Sequence, residues 1–339
     1  MKNVWQCFAA VAAAAMFFMA CNGDGAGKKA ATDNPVFGHP AIAGVTKEIE
    51  KEPNNARLYF KRGLLLDDMQ EDSLALVDYN KAISLDSTKA EFYSAVGDLM
   101  FEHKDLDGSV KWLERALKLN PNEPSAHLKM AKLFVYTKEY TSAFNEINIV
   151  LRQDVYNPEG YFLKGMIYKD LKDTAKAISS FQTAESVDPK YKDAVVQLGV
   201  LYSAKHDPLA LKYYDKAFAI DSADVFPLYA KGVYYQDSKD YETAKAQYKN
   251  VILRDKNYVN AYFNMGFILM QQDSLDKAYR QYDILTQIDP ANAEAYYNRG
   301  LCNELMGKKE AAIMDYKQAV VFDSEYEEPR EGLKRLGGK

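Results

Sequence analysis

The chain has 339 residues, of which 47% are hydrophobic and 27% charged, with 43 Lys and Arg against 48 Asp and Glu. That composition is globular rather than disordered, and a net charge of −5 without a basic stripe argues against nucleic acid as a partner. Tyrosine is plentiful at 25 residues, whereas there are only 3 cysteines and 4 histidines.

Residues 1–20 place one lysine ahead of an apolar run that is short for a membrane span and has the layout of a secretory signal peptide. The run ends in Phe18-Met19-Ala20-Cys21. This resembles a bacterial lipobox, with a small residue directly before the cysteine and Phe18 where leucine is usual. The resemblance implies cleavage before Cys21 and a palmitate-type lipoprotein anchor on that residue. Several acyl chains there would hold the chain at a bilayer, since one alone is marginal. Asn22, by enterobacterial sorting rules, implies the outer membrane of the cell envelope, facing the periplasm. Residues 21–40 are rich in Gly, Ala and polar residues and read as a flexible tether of about 25 Å. Cys7 leaves with the signal segment and Cys21 takes lipid, so Cys302 remains as a lone thiol, expected to be buried and inert.

Residues 41–55 predict a lead-in helix. Ile42, Val45 and Ile49 recur at helical spacing, and Pro53 stops the pattern. It reads as the second half of a degenerate repeat that caps a stack. Eight units then fill residues 56–326: 56–89, 90–123, 124–157, 158–191, 192–224, 225–258, 259–292 and 293–326. Numbered from 1 to 34, the fourth unit has Tyr161 at position 4, Gly165 at 8, Ala177 at 20, Phe181 at 24 and Pro189 at 32. Small residues at 8 and 20 allow two antiparallel helices to approach closely, and a large residue at 24 fills the contact. Position 8 is glycine in every unit but the third, which has Ala131, and position 20 is Ala or Ser109 throughout. Only the fifth unit is shorter, by one residue, near His206. The pattern resembles the tetratricopeptide repeat, a helix–turn–helix unit of this length. Residues 327–339 read as a C-terminal capping helix and tail. The fold implied is all-α, a right-handed α-solenoid of about eight such repeats with capping helices at both ends.

By that resemblance, positions 2, 5, 9, 12 and 13 of each first helix line a concave groove. Positions 5 and 9 supply Phe60 and Leu64, Phe162 and Met166, Tyr229 and Val233, Phe263 and Phe267, and Tyr297 and Leu301. Positions 12 and 13 add an acidic rim that includes Asp67, Asp68, Asp170, Asp237 and Glu304. An apolar strip with a charged border suits a protein segment. The alternatives are a homo-oligomer whose groove is self-filled, or a module for a glycan or small lipid. Replacing Phe263 and Phe267 together by alanine is expected to abolish partner capture with helicity intact. The carboxylate clamp of chaperone-binding repeats is absent. Asn264 and Asn298 match its position 6, but Tyr229 and Val233, or Phe263 and Phe267, stand where Lys and Asn are required.

No enzyme or cofactor signature stands in the chain. His39, His103, His127 and His206 have no metal-ligand spacing, and no phosphate loop or nucleophile elbow is present. Ser73, Ser87, Thr174, Ser222 and Ser274 each follow an aspartate. They resemble the acceptors of periplasmic O-glycosylation in Bacteroidetes, although Asp-Ser is also common turn chemistry.

Overall fold

A computed structural model describes residues 34–338. The signal segment, Cys21 and most of the tether lie outside the described residues. Those described are all-α, with eighteen α-helices and one short 3-10 turn. They fall into two compact units, Met1–Ala126 and His127–Lys339, built by one rule. Each repeat contributes an antiparallel pair of helices, from Ala56–Asp68 with Asp72–Leu85 to Ala293–Leu305 with Lys309–Phe322. Among the described residues no helix is long and apolar enough to cross a membrane.

The two helices of a pair touch where the sequence pattern places its small residues. At Gly232, a Cβ would lie 2.5 Å from Cε1 of Tyr248, so only glycine lets the position-24 ring lie flat on the first helix. The third repeat tolerates Ala131 opposite a smaller partner, Ile147, and both are fully buried. This contact forms the core of each repeat, and Tyr79, Tyr248, Tyr282, Tyr316 and Phe181 are all 0% exposed.

Both turns of the repeat have a fixed chemistry. Each first helix ends on a left-handed residue at position 15: Gln70, Lys104, Lys138, Lys172, His206, Lys239, Asp273 and Gly307. In the fourth repeat Lys172 N–H donates to the carbonyl of Lys169, and Asp173 N–H to that of Tyr168, the paired bonds of a Schellman cap. Each second helix ends on Asp or Asn at position 31, whose side-chain oxygen accepts the amide two residues on. Asp86 accepts Thr88 N–H, Asp188 accepts Lys190 N–H and Asp323 accepts Glu325 N–H. Asp154, in the least regular repeat of the sequence, holds Tyr156 N–H in the same way.

A half-repeat lies at each end of the described residues. Helix Pro40–Lys51 occupies a second-helix place, as a spacing of 16 residues demonstrates: Arg62 donates to Thr46, as Lys231 does to Asp215 and Arg299 to Asp283. Its Ile42, Val45 and Ile49 are buried. The last part of the proposed tether departs from a free coil. Pro35–Gly38 forms the 3-10 turn, and the lead-in helix begins at Pro40. The reason is apolar: Val36 and Phe37 pack on the first-repeat core, and the Arg62 guanidinium lies 5.4 Å from the Phe37 ring centroid. At the other end, helix Glu327–Arg335 takes a first-helix place. Gly332 lies against the free face of Tyr316, and Arg335 grips Glu304 through two bonds of 2.6 and 2.8 Å.

Candidate interaction groove

Position 5 turns out to be more structural than the repeat pattern suggests. Its rings are half-buried and lean on position 24: Phe60 on Tyr79, Phe162 on Phe181, Tyr229 on Tyr248, Phe263 on Tyr282 and Tyr297 on Tyr316, all at 5.7–5.8 Å. Several also touch the ring at position 34, such as Tyr229 against Tyr258 at 5.2 Å. These rings are held by the fold on one side and only partly available on the other. Among the apolar side chains at positions 5 and 9, the most exposed are at position 9: Leu64 at 46% in the first repeat and Phe267 at 41% in the seventh, while Tyr136 and Leu305 at position 13 are also exposed. Met166, Val233 and Leu301 are half-buried.

Position 12 has a role that the sequence reading assigned to an acidic rim. Where position 24 is tyrosine, position 12 bonds its hydroxyl. Tyr79 donates to Asp67 at 2.8 Å, Tyr248 to Gln236 at 2.8 Å and Tyr316 to Glu304 at 2.6 Å. In the fifth repeat Ser203 is the hydrogen-bonding partner of Tyr214. Burial, reinforced by the Asp67 carboxylate, raises the Tyr79 phenol well above its ordinary range, so it stays a donor. The seventh repeat breaks the rule. Position 12 is Met270, and the buried Tyr282 hydroxyl has no hydrogen-bond partner. Comparing columns 12 and 24 across the repeats would have exposed this exception in the sequence.

Asn264 and Asn298, the two asparagines at position 6, behave differently. Asn264 Nδ2 reaches back to the hydroxyls of Tyr229 and Tyr248, at 3.1 and 3.3 Å. Asn298 Nδ2 instead donates to the Glu294 carbonyl of its own helix at 2.8 Å.

Cys302 is fully buried, and burial, with Asp315 nearby, pushes its thiol up to about 12. That makes it a poor nucleophile at neutral pH. His127 is buried beside Glu146, with Nδ1 2.5 Å from a carboxylate oxygen, a packing role within the core. Of the residues that follow aspartate, Ser73, Ser87 and Ser222 are exposed, while Thr174 and Ser274 are half-buried at helix starts. Asp86, Asp173 and Asp221 spend their carboxylates on turn amides. Cys21 lies outside the described residues.

Family models described as "Tetratricopeptide repeat" match residues 56–89, 158–191, 227–258 and 293–326, and one described as "TPR repeat" matches 97–136. Together these span a little over half of the chain. A similar curated protein is "Stress-induced-phosphoprotein 1" of Caenorhabditis elegans, 22% identical over 222 residues, 65% of this chain and 69% of that protein. Another is "DnaJ homolog subfamily C member 7 homolog" of Dictyostelium discoideum, 24% identical over 230 residues. That match takes in 67% of this chain but 39% of the relative, so this chain spans well under half of that protein's length. In fold, the chain is similar to the crystal structure of the C-terminal part of a TPR repeat-containing protein from Cytophaga hutchinsonii. The TM-score is 0.56 at 19% identity, covering 70% of this chain and 98% of that one. With its helix pairs, its small residues at positions 8 and 20 and these matches, the chain belongs to the tetratricopeptide repeat family.

Proposed function

We propose that the chain is a non-enzymatic protein-interaction scaffold of the bacterial envelope. In this reading Cys21 carries the lipid that holds it to the outer membrane, facing the periplasm, and the first-helix face receives a segment of a partner protein. The observation that carries the binding half is Phe267, a large apolar side chain left 41% exposed on the groove face. An aromatic side chain in that situation is the usual centre of a protein contact. The anchoring half rests on the Phe18-Met19-Ala20-Cys21 sequence.

Phe267→Glu is the appropriate probe. Phe263 packs on Tyr282, so its removal would loosen the repeat as well as the groove. Crosslinked capture from native membranes, with wild type beside Phe267→Glu, is expected to lose a specific protein in the variant at unchanged helicity. Identical capture lists would remove the groove reading. For the anchor, Cys21→Ala is expected to move the chain from the membrane to the aqueous fraction and to abolish incorporation of labelled palmitate. Retention of both would exclude the lipid.

A further inference from the structure

Repeat seven differs from its neighbours in two independent ways. Its first helix is apolar at positions 5, 9 and 12 together, through Phe263, Phe267 and Met270, which at i, i+4 and i+7 share one helix face. Every other repeat places a polar or charged residue in at least one of these three positions, such as Lys132 in the third and Ser203 in the fifth. Beneath this stripe sits the Tyr282 hydroxyl, 0% exposed as a residue and alone among the position-24 tyrosines in having no partner. In the sibling repeats the tip of position 12 sits 2.6–2.8 Å from that hydroxyl. The Met270 side chain therefore fills the corresponding place, and it is half-buried, unbranched and easily re-packed. A buried hydroxyl without a partner loses free energy that a hydrogen-bonding group could recover. Beside the stripe, exposed Asp237 follows Gln236 at position 13 of the sixth repeat, and Gln236 accepts from the Tyr248 hydroxyl that Asn264 of the seventh repeat contacts.

We infer that repeat seven is the anchoring subsite for an extended protein segment with one uncharged apolar residue next to a Lys or Arg. The apolar side chain displaces the Met270 thioether and lies on Phe263 and Phe267. The main chain of that residue then hydrogen-bonds Tyr282 Oη, and the basic neighbour meets Asp237. This rests on the proposed groove function and names the repeat and ligand chemistry that perform it.

The test uses the full chain in detergent micelles and a phage-displayed library of random peptides, counter-selected on Phe267→Glu. The expected consensus pairs an apolar residue with Lys or Arg. Synthetic peptides from it should bind Met270→Gln roughly tenfold more weakly, because the new amide satisfies Tyr282 internally, as Gln236 satisfies Tyr248. Tyr282→Phe should weaken binding similarly, and Leu253→Gln, on a second helix, should not. Without peptide, Met270→Gln should melt at or above the wild-type temperature; a clear fall would show that position 12 does not face the hydroxyl and would overturn the inference. If selected peptides ignore Met270→Gln and Tyr282→Phe, the groove function stands, read by their loss with Phe267→Glu, and the anchoring role of the Tyr282 hydroxyl fails. Enrichment of acidic peptides would overturn the ligand chemistry. If the wild type enriches nothing, the groove function falls together with the subsite.

Discussion

At position 24 the side chain and its hydrogen-bond partner change together along the chain. In every repeat with tyrosine but the seventh, position 12 is Asp67, Ser203, Gln236 or Glu304, whereas Leu113 and Ile147 go with the apolar Phe101 and Val135 at that position. A buried hydroxyl that has a charged partner and one that has none should respond oppositely to deletion. Tyr79→Phe removes a bond to the Asp67 carboxylate and is expected to cost about 1–2 kcal/mol. Tyr282→Phe deletes a group whose burial is uncompensated, and is expected to be neutral or to stabilise by up to about 1 kcal/mol. Urea midpoints at constant m-value would measure both. Equal losses would mean that Tyr282 has a partner in solution.

The turn after each first helix raises a similar question for the element as a whole. Position 15 must adopt positive φ, yet seven of the eight repeats place a residue other than glycine there. Lys172 sits at φ 60° and Gly307 at φ 74°, so the same geometry is reached with and without a Cβ. A left-handed lysine costs roughly 1–2 kcal/mol, and glycine returns part of that through greater freedom in the unfolded chain. Lys172→Gly is therefore expected to stabilise by about 0.5–1 kcal/mol, seen as a higher thermal midpoint. No change, or a loss, would show that the Lys172 side chain contributes more at this turn than the relief of strain. These left-handed lysines also mark where sequence reading stops. The helix pairs, their order and the glycine contacts were legible, because small residues at 8 and 20 and a large one at 24 recur in register. The turn geometry was not, because lysine carries no local signal for positive φ and the Schellman hydrogen bonds override its preference. The exposure of the groove was overestimated for a related reason. Helical spacing shows which face position 5 occupies, but not that the rings of Phe162 and Tyr229 rest against Phe181 and Tyr248. Likewise, composition alone could not separate the packed Val36 and Phe37 from the polar residues before them.

For the whole molecule, the chain ends decide whether repeats from separate copies could stack. A repeat propagates when the next helix finds an apolar face, and termini that offer polar faces stop it. At the start, the lead-in helix turns Ile42, Val45 and Ile49 inward, and leaves Ala41, Gly44, Lys47 and Glu48 exposed. At the end, helix Glu327–Arg335 has a first-helix place but carries Arg330 and Lys334 at positions 4 and 8, where inner repeats have residues such as Tyr161 and Gly165. A second helix packing there would have to bury the exposed Lys334 without a partner charge, which is costly. Arg335 also commits Glu304 to closing the last repeat. Each terminal helix therefore presents a face that does not continue the repeat pattern, and the net charge of −5 adds mild repulsion between copies. Light scattering on the Cys21→Ala chain is expected to give the monomer mass over a hundredfold range of concentration. A mass that doubles with concentration would favour the self-filled homo-oligomer. Restoration of the monomer by Phe267→Glu would then identify the groove as the contact, and its persistence in that variant would point to the chain ends.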